Sequence, residues 1–378
     1  MKKLRAGVAG VGFIGAAHVE AVRRLGFAEV VAICDRPRPE QIAEKLGVEH
    51  WYADYREMLD RERLDVVHIC TPNVSHFEIA RYAMERGVSV LCEKPLAFTL
   101  EEAEELVRLA ERHGVRHGVN FHCRYYPMVR EMRELVRKGE LGGILSIHGG
   151  YLQDWLLLDT DYSWRLESGQ SGASRAVADI GSHWIDSVEF VSGLKIRKVF
   201  ADFATFHKRR KRPLQKVDTF SNKLGDAGAY EEFQVDTEDF AQVLFAFDNG
   251  ARGNMIVSQM YAGRKNQMLI SLAGTERALY FDSEQLNELW LGSRKGYNSS
   301  IVKDPALLEP GTAVTASYPG GHVEGFPDAF AHAFRAFYKT VADGTAGEYA
   351  TFADGLREMR VCQAIVTSAR EGRWVDVE

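Results

Sequence analysis

Short apolar runs alternate with amphipathic stretches over the first third of the chain. The apolar runs occupy residues 3–9, 30–34, 65–70, 88–92 and 117–121. They are almost continuously apolar, as parallel strands covered on both faces should be. The stretches between them have helical spacing, and one helix is expected to start after Thr99, with Glu102 in the capping-box position. The alternation predicts an α/β domain with a parallel sheet over residues 1–122.

Beyond residue 122 the hydrophobic pattern becomes that of longer alternating strands. These strands are expected at residues 144–151, 199–205, 239–247, 251–260, 267–273, 277–281 and 288–291. Asp248-Asn249-Gly250 joins two of them and is a strong hairpin signal. We therefore expect an α+β domain over residues 123–378 with a large open, mostly antiparallel sheet. Two helices end the chain, and the last, at residues 352–371, is able to pack back on the first domain.

A glycine-rich turn follows the first strand directly. Its sequence is Gly10-Val11-Gly12-Phe13-Ile14-Gly15, and a helix follows it. The glycines permit the tight turn, the approach of a pyrophosphate and close helix packing, and the helix N-terminus attracts the phosphates. Asp35 ends the second strand, where a carboxylate binds an adenosine ribose and repels a 2′-phosphate. NAD is the expected cofactor, with NADP less favoured because only Arg36 offers it a partner.

Polar residues follow the later strands of the first domain. Thr71, Asn73 and His76, with Pro72 among them, follow the third run, Glu93 and Lys94 follow the fourth, and Asn120 lies at the fifth. Ligands bind at the carboxyl ends of parallel strands, so these residues are expected to face the cofactor. For His76 the alternative is a histidine that only begins a helix. Lys94 is expected near the nicotinamide end, or else is a surface lysine.

The second domain holds a carboxylate and an imidazole four residues apart. Asp179 and His183 lie in Asp-Ile-Gly-Ser-His, just before a predicted helix, so both can lie on one side of a turn. A carboxylate beside an imidazole orients it and raises its basicity. The alternative is a helix N-cap beside an ordinary helical histidine. Together with a dinucleotide and Lys94, the pair is sufficient to oxidise a secondary alcohol.

Composition limits the possible functions. The 378 residues carry a net charge of −6, which gives no electrostatic footprint for nucleic acid, and no apolar run is long enough to cross a membrane. The five cysteines are scattered and no metal-ligand spacing is present, so we expect reduced thiols, a cytoplasmic location and no metal. A basic run at residues 208–212 lies in a charged excursion, 206–235, where a solvated loop is favoured over a phosphate site.

These motifs together resemble the glucose–fructose oxidoreductase/inositol dehydrogenase (Gfo/Idh/MocA) family over essentially the whole chain. The features that carry the resemblance are the glycine-rich turn, Thr71-Pro72-Asn73 with His76, Glu93-Lys94-Pro95, Asp179-x-Gly181-x-His183 and the terminal Asp354-Gly355-Leu356. The resemblance implies that residues 1–122 form an NAD(P)-binding Rossmann domain. It also implies that Lys94, Asp179 and His183 are the catalytic set, with His183 as acid/base. It also implies that the open sheet face packs against a partner subunit in a dimer or tetramer.

The second domain further resembles the branch of that family acting on sugars and anhydrosugars. In such members a Trp-Arg pair lies against the cofactor, which implies that role for Trp164 and Arg165. Candidate substrate-binding residues, besides the catalytic set, are Arg124, Tyr125, Gln153, Asp154, Trp155 and His322. For the two tryptophans the alternative is core packing, and for His322 it is an exposed loop histidine.

The expected function is an NAD-dependent dehydrogenase that oxidises one secondary hydroxyl of a sugar, anhydrosugar or inositol. Lys94 and His183 would serve equally in an NAD-dependent glycosidase that oxidises a sugar transiently and returns the hydride. A non-catalytic sugar or nucleotide sensor is a third possibility, but it predicts loss of a catalytic residue, and none is lost here.

Overall fold

The computed structural model describes residues 3–214 and 229–378. The chain forms two compact units. The first comprises Met1–His122 with Phe326–Met359, and the second Cys123–Gly325 with Arg360–Glu378. This grouping differs from the predicted limits of 1–122 and 123–378, because a late segment joins the first unit.

The first unit is built on a six-stranded parallel sheet in the order β3-β2-β1-β4-β5-β6. Its strands are β1 (Leu4–Ala9), β2 (Ala28–Cys34), β3 (His50–Tyr52), β4 (Val66–Ile69), β5 (Ser89–Cys92) and β6 (His117–Val119). Its helices are α1 (Phe13–Arg23), α2 (Pro39–Leu46), α3 (Tyr55–Arg61), α4 (His76–Met84), α5 (Leu100–His113) and α10 (Phe326–Asp343), with the start of α11 (Phe352–Glu371). The Rossmann prediction is confirmed.

Local sequence signals explain where these elements begin. Every residue of β4 and β5 is buried, which accounts for their continuous apolar pattern. At the start of α5, Thr99 Oγ1 accepts the backbone N–H of Glu102 at 3.2 Å, and the Glu102 carboxylate accepts that of Thr99 at 3.2 Å. The predicted capping box is confirmed.

Helix α10 joins the first unit because one of its faces is strongly apolar. Phe330, Phe334 and Tyr338 are at most 1% exposed. The rings of Phe330 and Phe334 lie 5.5 and 4.7 Å from that of His18 in α1. Burial of these aromatic side chains is worth several kcal/mol, at about 25 cal/mol per Å².

The second unit is built on a nine-stranded mixed sheet in the order β16-β15-β14-β13-β7-β12-β11-β8-β17. Its strands are β7 (Ile144–Leu152), β8 (Ile196–Ala204), β11 (Phe240–Phe247), β12 (Arg252–Ser258), β13 (Gln267–Gly274), β14 (Arg277–Asp282), β15 (Glu288–Ser293), β16 (Ser299–Val302) and β17 (Val375–Asp376). Its helices are α6 (Pro127–Arg137), α7 (Ser168–Ser171), α8 (Ser182–Ser192), α9 (Pro310–Ala313) and the end of α11. Among the described strand pairs of this sheet, β7–β12 is parallel and the others are antiparallel, so the prediction of a mostly antiparallel sheet is confirmed.

Two glycines permit close pairing at the centre of this sheet. A Cβ at Gly150 would lie 1.9 Å from the carbonyl oxygen of Ile256 in β12. At Gly149, where φ is +154°, a Cβ would lie 2.0 Å from the carbonyl oxygen of Leu269 in β13. Any side chain at either position would force the central strands apart.

The basic run at residues 208–212 does not form the expected loop. Arg209–Pro213 is strand β9, paired antiparallel with β10 (Tyr230–Gln234). Arg210 is only 1% exposed and donates to Asp239 Oδ1 at 2.8 Å and to the carbonyl oxygens of Leu156 and Leu158. Because Arg210 is buried and hydrogen-bonded inside the protein, this segment is part of the folded core and not a solvated loop. Residues 215–228 of the same excursion lie outside the described part of the chain.

Within the described residues, no helix is both long enough and apolar enough to cross a membrane.

Candidate functional site

The glycine-rich turn leaves a helix terminus open to an anion. Gly10 has φ of +84°, and a Cβ there would lie 2.7 Å from the backbone after β4. A Cβ at Gly15 would lie 1.9 Å from the carbonyl oxygen of Gly10, whereas one at Gly12 would meet nothing within 4 Å. The N-cap residue of α1 is Gly12, which has no side chain to accept a hydrogen bond from the first backbone N–H groups of the helix. The first turn of α1 also carries no acidic residue. Partial positive charge at this end suits a pyrophosphate.

Asp35 is fixed beside that turn. Its Oδ2 accepts the backbone N–H of Val11 at 2.5 Å, and its Oδ1 accepts that of Arg36 at 2.5 Å. The side chain of Arg36 donates to the carbonyl oxygen of Ala53 at 2.7 Å. The carboxylate is therefore held in place, while the guanidinium is turned towards the backbone.

His76 links the loops that follow β4 and β5. It is completely buried, and its ring nitrogens lie 2.8 Å from the carbonyl oxygen of Pro95 and 2.9 Å from that of Thr71. Burial lowers the pKa of His76, although both backbone bonds oppose this. His76 therefore links the loops around Thr71 and Lys94, and it is also the first residue of α4, as its alternative described. The adjacent Ser75 is the N-cap residue of α4, and its hydroxyl bonds Thr71 Oγ1 at 2.7 Å.

Glu93 lies at the end of β5, next to Lys94. Its Oε1 accepts from Asn120 Nδ2 at 2.6 Å and lies 3.0 Å from His18 Nε2, while the backbone N–H of Lys94 donates to Oε2 at 3.3 Å. Burial raises the pKa of Glu93, but the hydrogen bonds from His18 and Asn120 and the positive charge of Lys94 outweigh it and lower the pKa to about 2. The residue is therefore an ionised carboxylate at every ordinary pH. His18 was not foreseen from the sequence.

Asp179 and His183 lie on two successive helical turns of the second unit. Asp179 is within a π-helical turn, Val177–Gly181, that runs straight into α8. Arg165 Nε donates to Asp179 Oδ1 at 2.9 Å, and Gln259 Nε2 donates to Oδ2 at 3.1 Å. The N-cap of α8 is Gly181, so the alternative that made Asp179 a helix cap is wrong. A π-helical turn is common at functional sites.

His183 is 7% exposed, and its ring lies 6.3 Å from that of the buried Tyr151. Tyr151 is on β7, two residues before Gln153. The predicted substrate residues at the end of β7 and the catalytic pair therefore belong to one region of the second unit.

The Trp-Arg pair is connected to this region through Arg165. The Arg165 guanidinium carbon lies 4.6 Å from the ring centre of Trp164 while its Nε binds Asp179. Trp164 and Trp155 are both half-buried, which is less than simple core packing would require. Within the second unit, the partner of Arg165 is the Asp179 carboxylate.

The other predicted substrate residues have different surroundings. Arg124 forms a buried two-bond ion pair with Asp186, at 2.8 and 2.5 Å, and is committed to the protein interior. Tyr125 is 3% exposed. Gln153 Nε2 donates to Asn266 at 2.7 Å, and Asp154 Oδ2 accepts Lys265 Nζ at 2.5 Å.

His322 is exposed on a loop, as its alternative required, and its Nδ1 lies 3.3 Å from the carbonyl oxygen of Gly320. The loop is anchored by the buried Lys303, whose Nζ donates to the carbonyl oxygen of His322 at 2.8 Å. A fixed loop presents an exposed imidazole in one place, which a substrate contact requires.

A buried carboxylate sets the backbone in front of Asp179. Glu238 is 2% exposed, and its Oε1 accepts the backbone N–H groups of Arg175 at 3.0 Å and Val177 at 2.9 Å. Burial raises the pKa of Glu238 and these bonds oppose the rise. Sequence reasoning missed Glu238 and Gln259, because neither lies in a motif and both are about 60 to 80 residues away from their partners.

Comparison with known proteins identifies both units. Residues 4–121 match the model described as "Oxidoreductase family, NAD-binding Rossmann fold", and residues 129–280 match "GFO/IDH/MocA C-terminal domain". Levoglucosan dehydrogenase of Pseudarthrobacter phenanthrenivorans is 31% identical, with 100% of this chain and 99% of that protein covered.

Solved structures agree over both chains. A levoglucosan dehydrogenase complex with NADH and L-sorbose has a TM-score of 0.89 at 30% identity, covering 100% of each chain. An inositol dehydrogenase homologue from Azotobacter vinelandii, in complex with NAD⁺, has a TM-score of 0.87 at 25% identity, covering 99% of this chain and 97% of that one. The N-terminal domain is an NAD-binding Rossmann domain. The open terminus of α1 and the fixed Asp35 carboxylate suit that dinucleotide, so the prediction of NAD is confirmed.

Proposed function

Because the chain belongs to the Gfo/Idh/MocA oxidoreductase family, we propose that it is an NAD-dependent dehydrogenase acting on a secondary hydroxyl of a sugar, anhydrosugar or inositol. The observation that carries the proposal is the fixed Asp179 carboxylate one helical turn before His183. An alcohol oxidation needs an oriented base, and this arrangement supplies one on a chain whose other domain binds NAD.

The proposed cofactor site uses the groups around the glycine-rich turn. The turn and the N-terminus of α1 hold the pyrophosphate, and Asp35 accepts hydrogen bonds from the adenosine ribose. Thr71, Asn73 and Glu93 belong to the edge of the sheet where the nicotinamide half binds. NAD, when bound, supplies the acceptor for the hydride that leaves the carbinol carbon.

The proposed proton chemistry uses three side chains. His183 takes the hydroxyl proton, and Asp179 keeps the imidazole oriented and stabilises its cationic form. Lys94 stabilises the negative charge that develops on the substrate oxygen. Arg165 and Gln259, which bind the two oxygens of Asp179, hold the carboxylate in the orientation that this role demands.

For the substrate we propose contacts from Gln153, Asp154, Trp155 and His322. The amide, carboxylate and imidazole supply the donors and acceptors a polyol needs, and the half-buried Trp155 supplies an apolar stacking face. Arg124 is left out of the proposed contacts, since Asp186 neutralises it in the interior.

We also propose that the open face of the nine-stranded sheet pairs with a second copy of the chain. One row across this face runs through paired positions that include Leu244, Asn254, His148, Tyr280 and Trp290. Leu244, Tyr280 and Trp290 are 48%, 40% and 37% exposed, which is unusual for large apolar side chains on a lone sheet. Mass measurement by light scattering tests this, and a monomer at micromolar concentration would contradict it.

The first assay is the appearance of NADH absorbance with purified protein, NAD and a panel of inositols, aldoses, anhydrosugars and aryl glycosides. NADH formed with a free sugar or polyol supports the proposal. Aglycone release without net NADH would replace it with the transient-oxidation glycosidase. NAD binding without either reaction over the panel would instead favour the sensor.

A further inference from the structure

A chain of hydrogen bonds runs through the interior of the first unit behind Glu93. Tyr338 Oη lies 2.7 Å from His68 Nε2, and His68 Nδ1 lies 2.8 Å from His18 Nδ1. His18 Nε2 lies 3.0 Å from Glu93 Oε1. Both histidines and the tyrosine are completely buried, and His18 Nε2 also lies 3.3 Å from Asn120 Nδ2, which itself donates to Glu93.

With both imidazoles neutral, one arrangement of protons satisfies every member of this chain. The Glu93 carboxylate accepts, so His18 Nε2 carries a proton, and in the neutral ring His18 Nδ1 is an acceptor. His68 therefore donates from Nδ1 and accepts at Nε2, where the Tyr338 hydroxyl donates. A cationic His18 would reverse the last two bonds and leave the Tyr338 proton with no acceptor among the described contacts. Burial lowers the pKa of His68 well below its ordinary value, and His68 is neutral in both arrangements.

The ordered chain ends on the backbone of Lys94. Glu93 uses Oε1 for His18 and Asn120, and Oε2 for the backbone N–H of Lys94 at 3.3 Å. The carboxylate thus has one oxygen facing the buried chain and the other facing the Lys94 peptide. Rotation of Glu93 about its side chain would break both sets of bonds together.

We propose that His18, His68 and Tyr338 are positioning residues that fix the Glu93 carboxylate and, through it, the place from which Lys94 acts. The expected effect on Lys94 and on kcat rests on the proposed function, whereas the positions of the protons along the hydrogen-bond chain do not. The first experiment therefore needs no substrate. Neutron diffraction from the perdeuterated free protein should show deuterium on Tyr338 Oη, on His68 Nδ1 and on His18 Nε2. Deuterium on His18 Nδ1, or on Glu93, would overturn the proposal.

The second experiment asks whether the chain acts through Glu93. His18→Leu removes the donor to Glu93 and should lower kcat about 10- to 100-fold, the worth of a hydrogen bond to a charged group. His18→Gln places an amide donor near the lost Nε2 and should restore most of kcat. In a Glu93→Gln background, His18→Leu should cost little more, because the group it acts on is already altered.

Tyr349→Phe is the matched control, since it removes a partly buried tyrosine hydroxyl from the same unit outside the chain. NADH titration and thermal melting establish that each variant is folded. Equal losses in His18→Leu and His18→Gln, or losses that multiply fully with Glu93→Gln, would refute the positioning role. If no sugar is oxidised, the proposed function fails, and the neutron result still decides the proton order.

Discussion

Replacing Lys303 by methionine tests how a buried charge holds the His322 loop. Lys303 is 1% exposed and Glu324 is 0% exposed. Lys303 Nζ donates to Glu324 Oε2 at 2.7 Å and to the carbonyl oxygens of Tyr318 and His322, both at 2.8 Å. Three ammonium protons meet three good acceptors, so none is spare. Met has a similar length, and Lys303→Met therefore removes the charge and the donors with little change in volume.

The magnitude follows from what is left behind. Glu324 would remain as a buried carboxylate without its cation, and breaking such a pair from one side costs about 3–5 kcal/mol. The equilibrium constant for local opening of residues 317–324 should then increase by roughly two to four powers of ten. In Lys303→Met/Glu324→Gln the unpaired charge is gone, so the double variant should lose less than the single one.

Hydrogen exchange followed by mass spectrometry is the appropriate assay, because a chain with two units does not unfold in one step. Peptides covering residues 303–324 report the opening directly. Lys295→Met is the matched control: Lys295 pairs with Glu276 on the surface, at 80% and 49% exposure, so its loss should be small. Protection in Lys303→Met within tenfold of the wild-type protein, or a double variant worse than the single, would refute the reasoning.

Four further predictions concern cofactor choice, catalysis and stability. Asp35→Ser should raise the preference for NADP relative to NAD, measured as the ratio of their dissociation constants, and an unchanged ratio would mean that Asp35 does not read the ribose. His183→Ala should lower kcat roughly 10²- to 10⁴-fold with NADH binding retained, and near-normal turnover would remove it as the base. Burial lowers the pKa of His122 to about 4, so as the pH falls the unfolded chain takes up a proton on this residue before the folded protein does. The free energy of unfolding should therefore drop between pH 6.5 and 4, and this group should account for roughly 2 kcal/mol of the loss at pH 5. His122→Gln should weaken this pH dependence in denaturation curves measured at pH 7 and 5. Asp239→Asn would leave two buried arginines without their carboxylate and should destabilise the second unit by about 3–5 kcal/mol in denaturant titrations, whereas a change below about 1 kcal/mol would show that another group neutralises them.

Elements were predictable where one short stretch of sequence contains the whole physical cause. The buried strands β4 and β5 appear as apolar runs, and the start of α5 is determined by Thr99 and Glu102, three residues apart. Strand β9 was missed because its residues are basic, and its pairing with β10 and the burial of Arg210 depend on distant groups.

The site follows the same division. Motifs located Asp35, Lys94, Asp179 and His183, because each lies beside a recognisable turn or strand end. The residues that bind these motifs could not be predicted from the sequence. His18 bonds Glu93, the neighbour of Lys94, across 75 positions of sequence, and Gln259 bonds Asp179 across 80. Such contacts exist only once the sheet and helices have come together.

The return of α10 to the first unit has a consequence for synthesis. The chain leaves that unit after His122 and re-enters it at Phe326, and its last segment there ends at Met359. At roughly 5–20 residues per second, a ribosome needs about 12 to 47 s to add the 237 residues from 123 to 359. Until α10 has been made, the first unit lacks Tyr338 and the phenylalanines of that helix, so His18 and His68 remain open to water. The nucleotide-binding half is made first and finished late.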